Sequence, residues 1–183
     1  MTDALNRQLA EVIREYERVT AGARRLADRL DDSAFARRPA PERWSPAECF
    51  AHLTITTGAY RSLIRGGIVA GRKLPAARGR YRRDLKGWLL TRSLEPSARF
   101  KIMTPPRFEP VNAGGKVLVL AEFVQSQDAL ASLVRESSGL DLRRVMIASP
   151  FNPKLEYNLF SCYKILAAHE RRHLAQAEAA APA

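Results

Sequence analysis

The sequence predicts an all-α protein, a four-helix bundle of up-down-down-up topology with a long crossover between its second and third helices. Three observations predict it. Four stretches space their apolar residues three and four apart, the period that gathers them on one face of a helix. Residues 66–116, between the second and third of these stretches, lack that period. The chain holds three histidines, and their positions on the second and fourth helices match in height only if those helices run antiparallel.

The first helix spans about Asp3 to Leu30. Its apolar positions Leu5, Leu9, Val12, Tyr16, Val19, Ala23, Leu26 and Leu30 recur at spacings of 4, 3, 4, 3, 4, 3 and 4, with charged residues between them. Thr2 or Asp3 can cap its start. Residues 31–44 then connect, broken by Asp31-Asp32-Ser33 and Pro39-Ala40-Pro41. The second helix opens with complete start chemistry: Ser45 as N-cap, Pro46 at the first helical position and Glu48 closing a capping box. Trp44 is placed to staple onto Cys49. Cys49, His52, Leu53, Thr56, Tyr60 and Leu63 share one face, so His52 points into the bundle.

Gly66-Gly67 is expected to end this helix. The following stretch through Arg83 reads as a basic, mobile loop, with a short helix from Asp84 to about Leu94 that carries Trp88, Leu89 and Leu90. Thr104-Pro105-Pro106-Arg107-Phe108-Glu109-Pro110 reads as extended, because each residue before a proline is pushed out of the α region. The third helix follows Gly114-Gly115 with Leu120, Phe123, Val124, Leu130, Leu133 and Val134 inward and Gly139 as its stop. Residues 140–157 connect. Asn158 caps the fourth helix, whose inward positions are Leu159, Cys162, Leu166, His169, His173 and Gln176.

His169 and His173 are four apart, so their side chains stack on one helical face. They lie eleven and fifteen residues past Asn158, roughly 16 to 22 Å along the helix at about 1.5 Å per residue. His52 lies seven residues past Ser45, roughly 10 Å along its own helix by the same rise. Antiparallel second and fourth helices bring all three to one height. Parallel second and third helices then require a long crossover, which residues 66–116 provide.

Three neutral imidazoles with an open position suit zinc, nickel, copper or iron(II), and three protein ligands are the pattern of a catalytic site. His169-Glu170-Arg171-Arg172-His173 also spells H-E-x-x-H, the zincin signature. Only ten residues follow His173 and none is a histidine, so a protease of that kind is not expected. Glu170 is placed either as a base beside the metal or as a solvated carboxylate beside Arg171. Tyr60 and Gln176, on the inward faces, are candidates to touch a substrate. Cys49, one turn before His52, can serve as a thiolate ligand or as a small buried hydrophobe.

The net charge of +11 is concentrated in one segment. Residues 61–110 hold thirteen Arg and Lys, from Arg61 to Arg107, against Asp84, Glu95 and Glu109. The rest is nearly neutral. The length fits one domain over 1–183 with a full-sized core. No basic region followed by an apolar run opens the chain. No uninterrupted apolar run approaches the roughly 20 residues that span a bilayer. A cytoplasmic protein without a transmembrane segment, with Cys49 and Cys162 reduced, is the expectation.

The run Arg43-Trp44-Ser45-Pro46-Ala47-Glu48, followed by His52, resembles the second-helix signature of the DinB/YfiT-like superfamily. The run His169-Glu170-Arg171-Arg172-His173-Leu174-Ala175-Gln176 resembles its fourth-helix signature, and the proline-rich connection at 104–110 is similar to DinB-like members. The resemblance implies an up-down-down-up bundle with His52, His169 and His173 as metal ligands. It also implies a metal-dependent enzyme that uses a low-molecular-weight thiol such as bacillithiol or mycothiol, as an S-transferase or, in the maleylpyruvate isomerase branch, an isomerase. The leading expectation is therefore a thiol-dependent S-transferase acting on a small electrophile, with zinc, nickel or iron(II) as cofactor. A metal-dependent hydrolase using bound water is the runner-up. The third reading is a binding module that uses the basic segment, 61–107, for an anionic partner. A small-molecule substrate is the expected partner, a homodimer is left open, and nucleic acid or an anionic membrane surface ranks behind.

Overall fold

The computed structural model describes residues 2–98, 103–111 and 113–182. The expected cap at Thr2 or Asp3 involves side chains outside the described residues, as do Arg99 and Lys101 of the basic segment. The described residues form helices α1 (Thr2–Arg29), α2 (Asp32–Ala36), α3 (Pro46–Gly71), α4 (Leu85–Leu94), α5 (Lys116–Glu136) and α6 (Leu159–Ala180), with strands β1 (Met146–Ala148) and β2 (Glu156–Asn158). The architecture is mostly helical, and the four long helices α1, α3, α5 and α6 correspond to the four expected from apolar spacing.

In α1 the whole expected seam is buried, from Leu5 to Leu30. At α3 the capping box forms as the sequence requires. Ser45 Oγ accepts from Glu48 N at 3.2 Å, and Glu48 Oε2 accepts from Ser45 N at 2.8 Å. The side chain of Asn158 accepts from Ser161 N at 2.8 Å and opens α6. Both histidine-bearing helices therefore begin at fixed points, which sets the register of His52 and of the His169/His173 pair. Packing joins α1 to α5 and α6, and α3 to the same two helices.

Two apolar clusters make up the core. One holds Leu5 to Tyr16 of α1, Tyr60 to Ile68 of α3, Leu130 to Val134 of α5, the first turns of α6 and the hairpin. The other holds Val19 to Leu30 of α1, Ala47 to Leu53 of α3, Val119 and Phe123 of α5, and Ala177 of α6. Between them lies a layer of buried polar residues: His52, Thr56 and Thr57 from α3, Ser126 and Gln127 from α5, and Glu170 and His173 from α6. Buried polar groups are costly unless paired, so this layer marks where the fold gives up apolar packing.

Several expectations need correction. The α3 helix does not stop at Gly66-Gly67 but runs to Gly71. Gly67 is a site of close approach instead: a Cβ there would lie 2.7 Å from Ile147 Cδ1 of the hairpin. The connection 31–44 contains α2, capped by Asp31 and anchored by the fully buried Phe35. Residues 140–157 are not a plain connection, because β1 and β2 pair antiparallel with Ile147 opposite Tyr157. Three-residue strands are too short to show an alternating pattern in sequence. Residues 106–108 form one 3-10 turn inside the stretch expected to be extended, while Pro105 and Glu109, each before a proline, keep extended backbone. The basic loop is pinned and not free: Tyr81 is buried, and its backbone exchanges two hydrogen bonds with the Gln8 amide.

Among the described residues, α5 has the length and mean hydropathy of a membrane-crossing helix. Its buried apolar residues, Phe123, Leu130 and Leu133 among them, belong to the two core clusters.

Candidate metal centre

The polar layer brings the three histidines together. One ring nitrogen from each of His52, His169 and His173 lies within 4.8 Å of the others. His52 Nε2 and His169 Nε2 are 3.2 Å apart. The His173 ring centroid is 4.5 Å from each of the other two. The heights estimated along the helices thus meet, from the second turn of α3 and the later turns of α6.

His52 Nδ1 lies 2.7 Å from the backbone oxygen of Phe108. A carbonyl only accepts, so Nδ1 carries the proton and donates it. Nε2 is then left as a lone pair facing the other two rings. A second-shell hydrogen bond of this kind fixes the tautomer that a metal-binding imidazole needs. The carbonyl comes from the last residue of the 3-10 turn at 106–108, held between extended Pro105 and Glu109. His169 Nδ1 and His173 Nδ1 are buried without a hydrogen-bond partner.

Burial sets the protonation state. Loss of solvent lowers His52, and it pushes His169 down to about 3, with the neighbouring His52 and Arg172 adding to the shift. His173 is held well below its ordinary value by burial, then by His169, His52 and Arg172. The cluster presents neutral imidazoles at neutral pH. Three neutral nitrogen donors, one aimed by a backbone carbonyl, form a donor set suited to a divalent transition metal.

The rings lie along a cleft of about 820 Å³. Trp44 packs against His52 and His173 with centroids 4.8 and 5.7 Å away. The expected staple residue therefore shields two candidate ligands, while also resting on the cluster that contains Cys49. Phe151 presents its ring to Phe108 at 4.2 Å and to His169 at 6.2 Å. Leu90 and Leu94 of α4, and Leu166 of α6, complete an apolar wall. Arg43 and Arg172 are the arginines of the lining.

The other candidates take separate places. Tyr60 lines the cleft, but its hydroxyl is 2.5 Å from that of Tyr157, and burial raises it well above its ordinary range. Gln176 is exposed at the rim of the cleft, next to His173. Glu170 is neither solvated nor in the cleft: it is 1% exposed and accepts from Gln127 Nε2 at 3.0 Å on the α5 side of α6. One helical step from His169 turns it by about 100° away from the metal face. Arg171, its neighbour, instead pairs with Glu15 and Glu95. Cys49 is fully buried, its thiol pushed up to about 12 by burial, and it lies outside the histidine group. The thiol is a small core hydrophobe there.

The sequence did not reveal Phe108, Phe151 or Arg172 as parts of the site. A backbone carbonyl has no sequence signature, and Phe151 sits on a loop whose position depends on the hairpin. Neither the curated proteins nor the solved structures compared with the chain give a match. The family profile of the DinB superfamily matches residues 15–177, and the chain belongs to that superfamily.

Proposed function

We propose that this protein is a one-domain, metal-dependent S-transferase that joins a low-molecular-weight thiol to a small electrophile in the Trp44–Phe151 cleft. His52, His169 and His173 would hold a divalent zinc, nickel or iron(II) ion. The observation that carries the reading is the cluster of three neutral imidazoles, two buried and one half-buried, with His52 Nδ1 committed to the Phe108 carbonyl and the ring nitrogens gathered within 4.8 Å at an open cleft. A bound divalent ion supplies Lewis acidity, which holds a thiol as thiolate at neutral pH.

The chain's own residues do the rest. The Phe108 carbonyl orients His52, Trp44 and Phe151 keep water from the rings, and Arg43 and Arg172 bring positive charge to the same cleft. The thiol releases its proton to solvent on becoming the thiolate, the sulfur forms its bond to the electrophilic carbon there, and the leaving group departs with the electron pair of the carbon bond that breaks. Among the described residues, none of the basic residues of 61–107 lines the cleft, so the attraction of an acidic thiol would fall to Arg43 and Arg172.

We also infer the up-down-down-up order of the long helices. It is supported by which halves share a core cluster: the second half of α1 with the first halves of α3 and α5 and the end of α6.

The test is elemental analysis of tag-free protein beside His52→Ala and His169→Ala, followed by a thiol-conjugation screen. Near-stoichiometric metal in the wild type, lost in the folded variants, supports the site. Absence of metal after incubation with zinc, nickel and iron(II) would sink it. Turnover that needs no added thiol would replace the transferase with a hydrolase on the same ligands.

A further inference from the structure

Outside the cleft, α4 is built in an unusual way. Its buried positions are the small Gly87 and Thr91, with Leu94 at its end. Ser161 of α6 approaches Gly87 so closely that a Cβ there would overlap its side chain. Three of its five large apolar side chains turn outward, Leu85 being 72% exposed, Trp88 44% and Leu89 53%, while Leu90 and Leu94 face the cleft. Positions 85, 88, 89 and 92 share one helical face, so Arg92 continues the stripe that these three begin. A surface helix normally hides its large apolar residues, and α4 leaves these three outside.

The charge around this face is equally one-sided. Arg78, Arg80 and Arg82 before the helix, and Lys86 and Arg92 on it, are all exposed. Among the described residues, no arginine or lysine between 61 and 107 takes part in an ion pair. The cleft does not use them either.

We propose that this face docks on an anionic lipid bilayer surface. Leu85, Trp88 and Leu89 enter the boundary between headgroups and acyl chains, while Arg82, Lys86 and Arg92 meet lipid phosphates. Both halves of the surface are satisfied by that partner: tryptophan settles at the headgroup level, leucines leave water, and clustered Lys and Arg are drawn to anionic lipid. A second copy of the chain fits worse. A two-fold interface places the same patch on both sides and would set these cations against their own copies. A nucleic acid would neutralise the cations but leave Leu85 and Leu89 in water.

The experiment is vesicle sedimentation of the full chain, with phosphatidylcholine alone and with phosphatidylglycerol mixed in, at low and high salt. Tryptophan emission is recorded in parallel, with Trp88→Phe separating Trp88 from Trp44. The expected result is binding to the phosphatidylglycerol vesicles, weakened by salt, with a blue shift that vanishes in Trp88→Phe. A Leu85→Ser/Leu89→Ser variant should bind at least about tenfold more weakly, since taking one leucine out of water is worth a decade or more. Its unchanged circular dichroism would show that it folds. Absence of vesicle binding overturns the proposal, as does binding that the leucine variant leaves intact. Salt-sensitive retention on duplex DNA without vesicle binding would instead make this a nucleic-acid surface. A dimer abolished by the leucine variant, again without vesicle binding, would make it a self-association face.

Discussion

Glu170 gives the sharpest test of how the polar layer is held together. Its Oε1 accepts from Gln127 Nε2 at 3.0 Å, while its Oε2 and Gln127 Oε1 are both buried without partners. Burial raises the carboxyl from 4.5 to about 8. At neutral pH burial favours the neutral acid, whose proton is a donor beside two buried oxygens that otherwise have none. Between the two pKa values the native state keeps a proton that the unfolded chain has lost, so stability falls as pH rises. The full slope is about 1.4 kcal/mol per pH unit. Between about pH 6.5 and 8 the native carboxyl begins to ionise, so the loss over that window comes to about 1.5 kcal/mol. The histidines act in the opposite sense: buried neutral in the fold but partly protonated in the unfolded chain near their ordinary 6.5, they make stability rise with pH, equally in wild type and in a Glu170 variant, so the Glu170 effect is read as the difference between the two. The assay is urea unfolding across this window, with chelator present, for wild type and Glu170→Gln. The amide keeps one donor and one acceptor toward Gln127 and cannot ionise, so its advantage over wild type should grow by about 1.5 kcal/mol from pH 6.5 to 8, and it should lie at or above wild type at pH 7. Parallel curves, or a variant destabilised by more than about 1 kcal/mol, would refute the neutral-acid account.

Four further outcomes are expected. Adding zinc or nickel should raise the melting temperature of metal-free wild type by an amount equivalent to about 2.7 kcal/mol at a hundredfold excess over Kd, with no rise in His173→Ala; calorimetry reads both. Gly87→Ala should destabilise by about 1–3 kcal/mol, because its Cβ overlaps the Ser161 side chain and α4 must move off α6; chemical denaturation measures it. Ser45→Ala should cost about 1 kcal/mol through loss of the N-cap, and it should weaken metal retention by loosening the start of the helix that carries His52. Phe123→Ala, which empties a fully buried position beside Phe50, should cost about 3–5 kcal/mol without removing metal from the protein that remains folded.

Local chemistry made much of this protein legible before any coordinates. The 4-3 spacing of α1, the Ser45-Pro46-Glu48 start and the Asn158 cap act within a few residues, so the sequence alone determined where α3 and α6 begin and which face α1 buries. The i,i+4 pair at His169 and His173, and the height of His52, followed from helix rise, and they identified the cluster. Tertiary structure decided what depends on approach between distant segments. Gly67 looks like a helix stop until Ile147 is seen against it, and Gly87 looks unremarkable until Ser161 fills the space. Glu170 reads as a surface carboxylate next to Arg171, yet the packing of α5 on α6 buries it against Gln127. The Phe108 carbonyl that aims His52 belongs to the backbone, and no side-chain pattern encodes its direction. The sequence by itself therefore determined which three histidines come together. Only the packing of α5, α6 and the hairpin decided which polar atoms are paired, which are left open to a metal, and which apolar side chains of α4 stay outside the core.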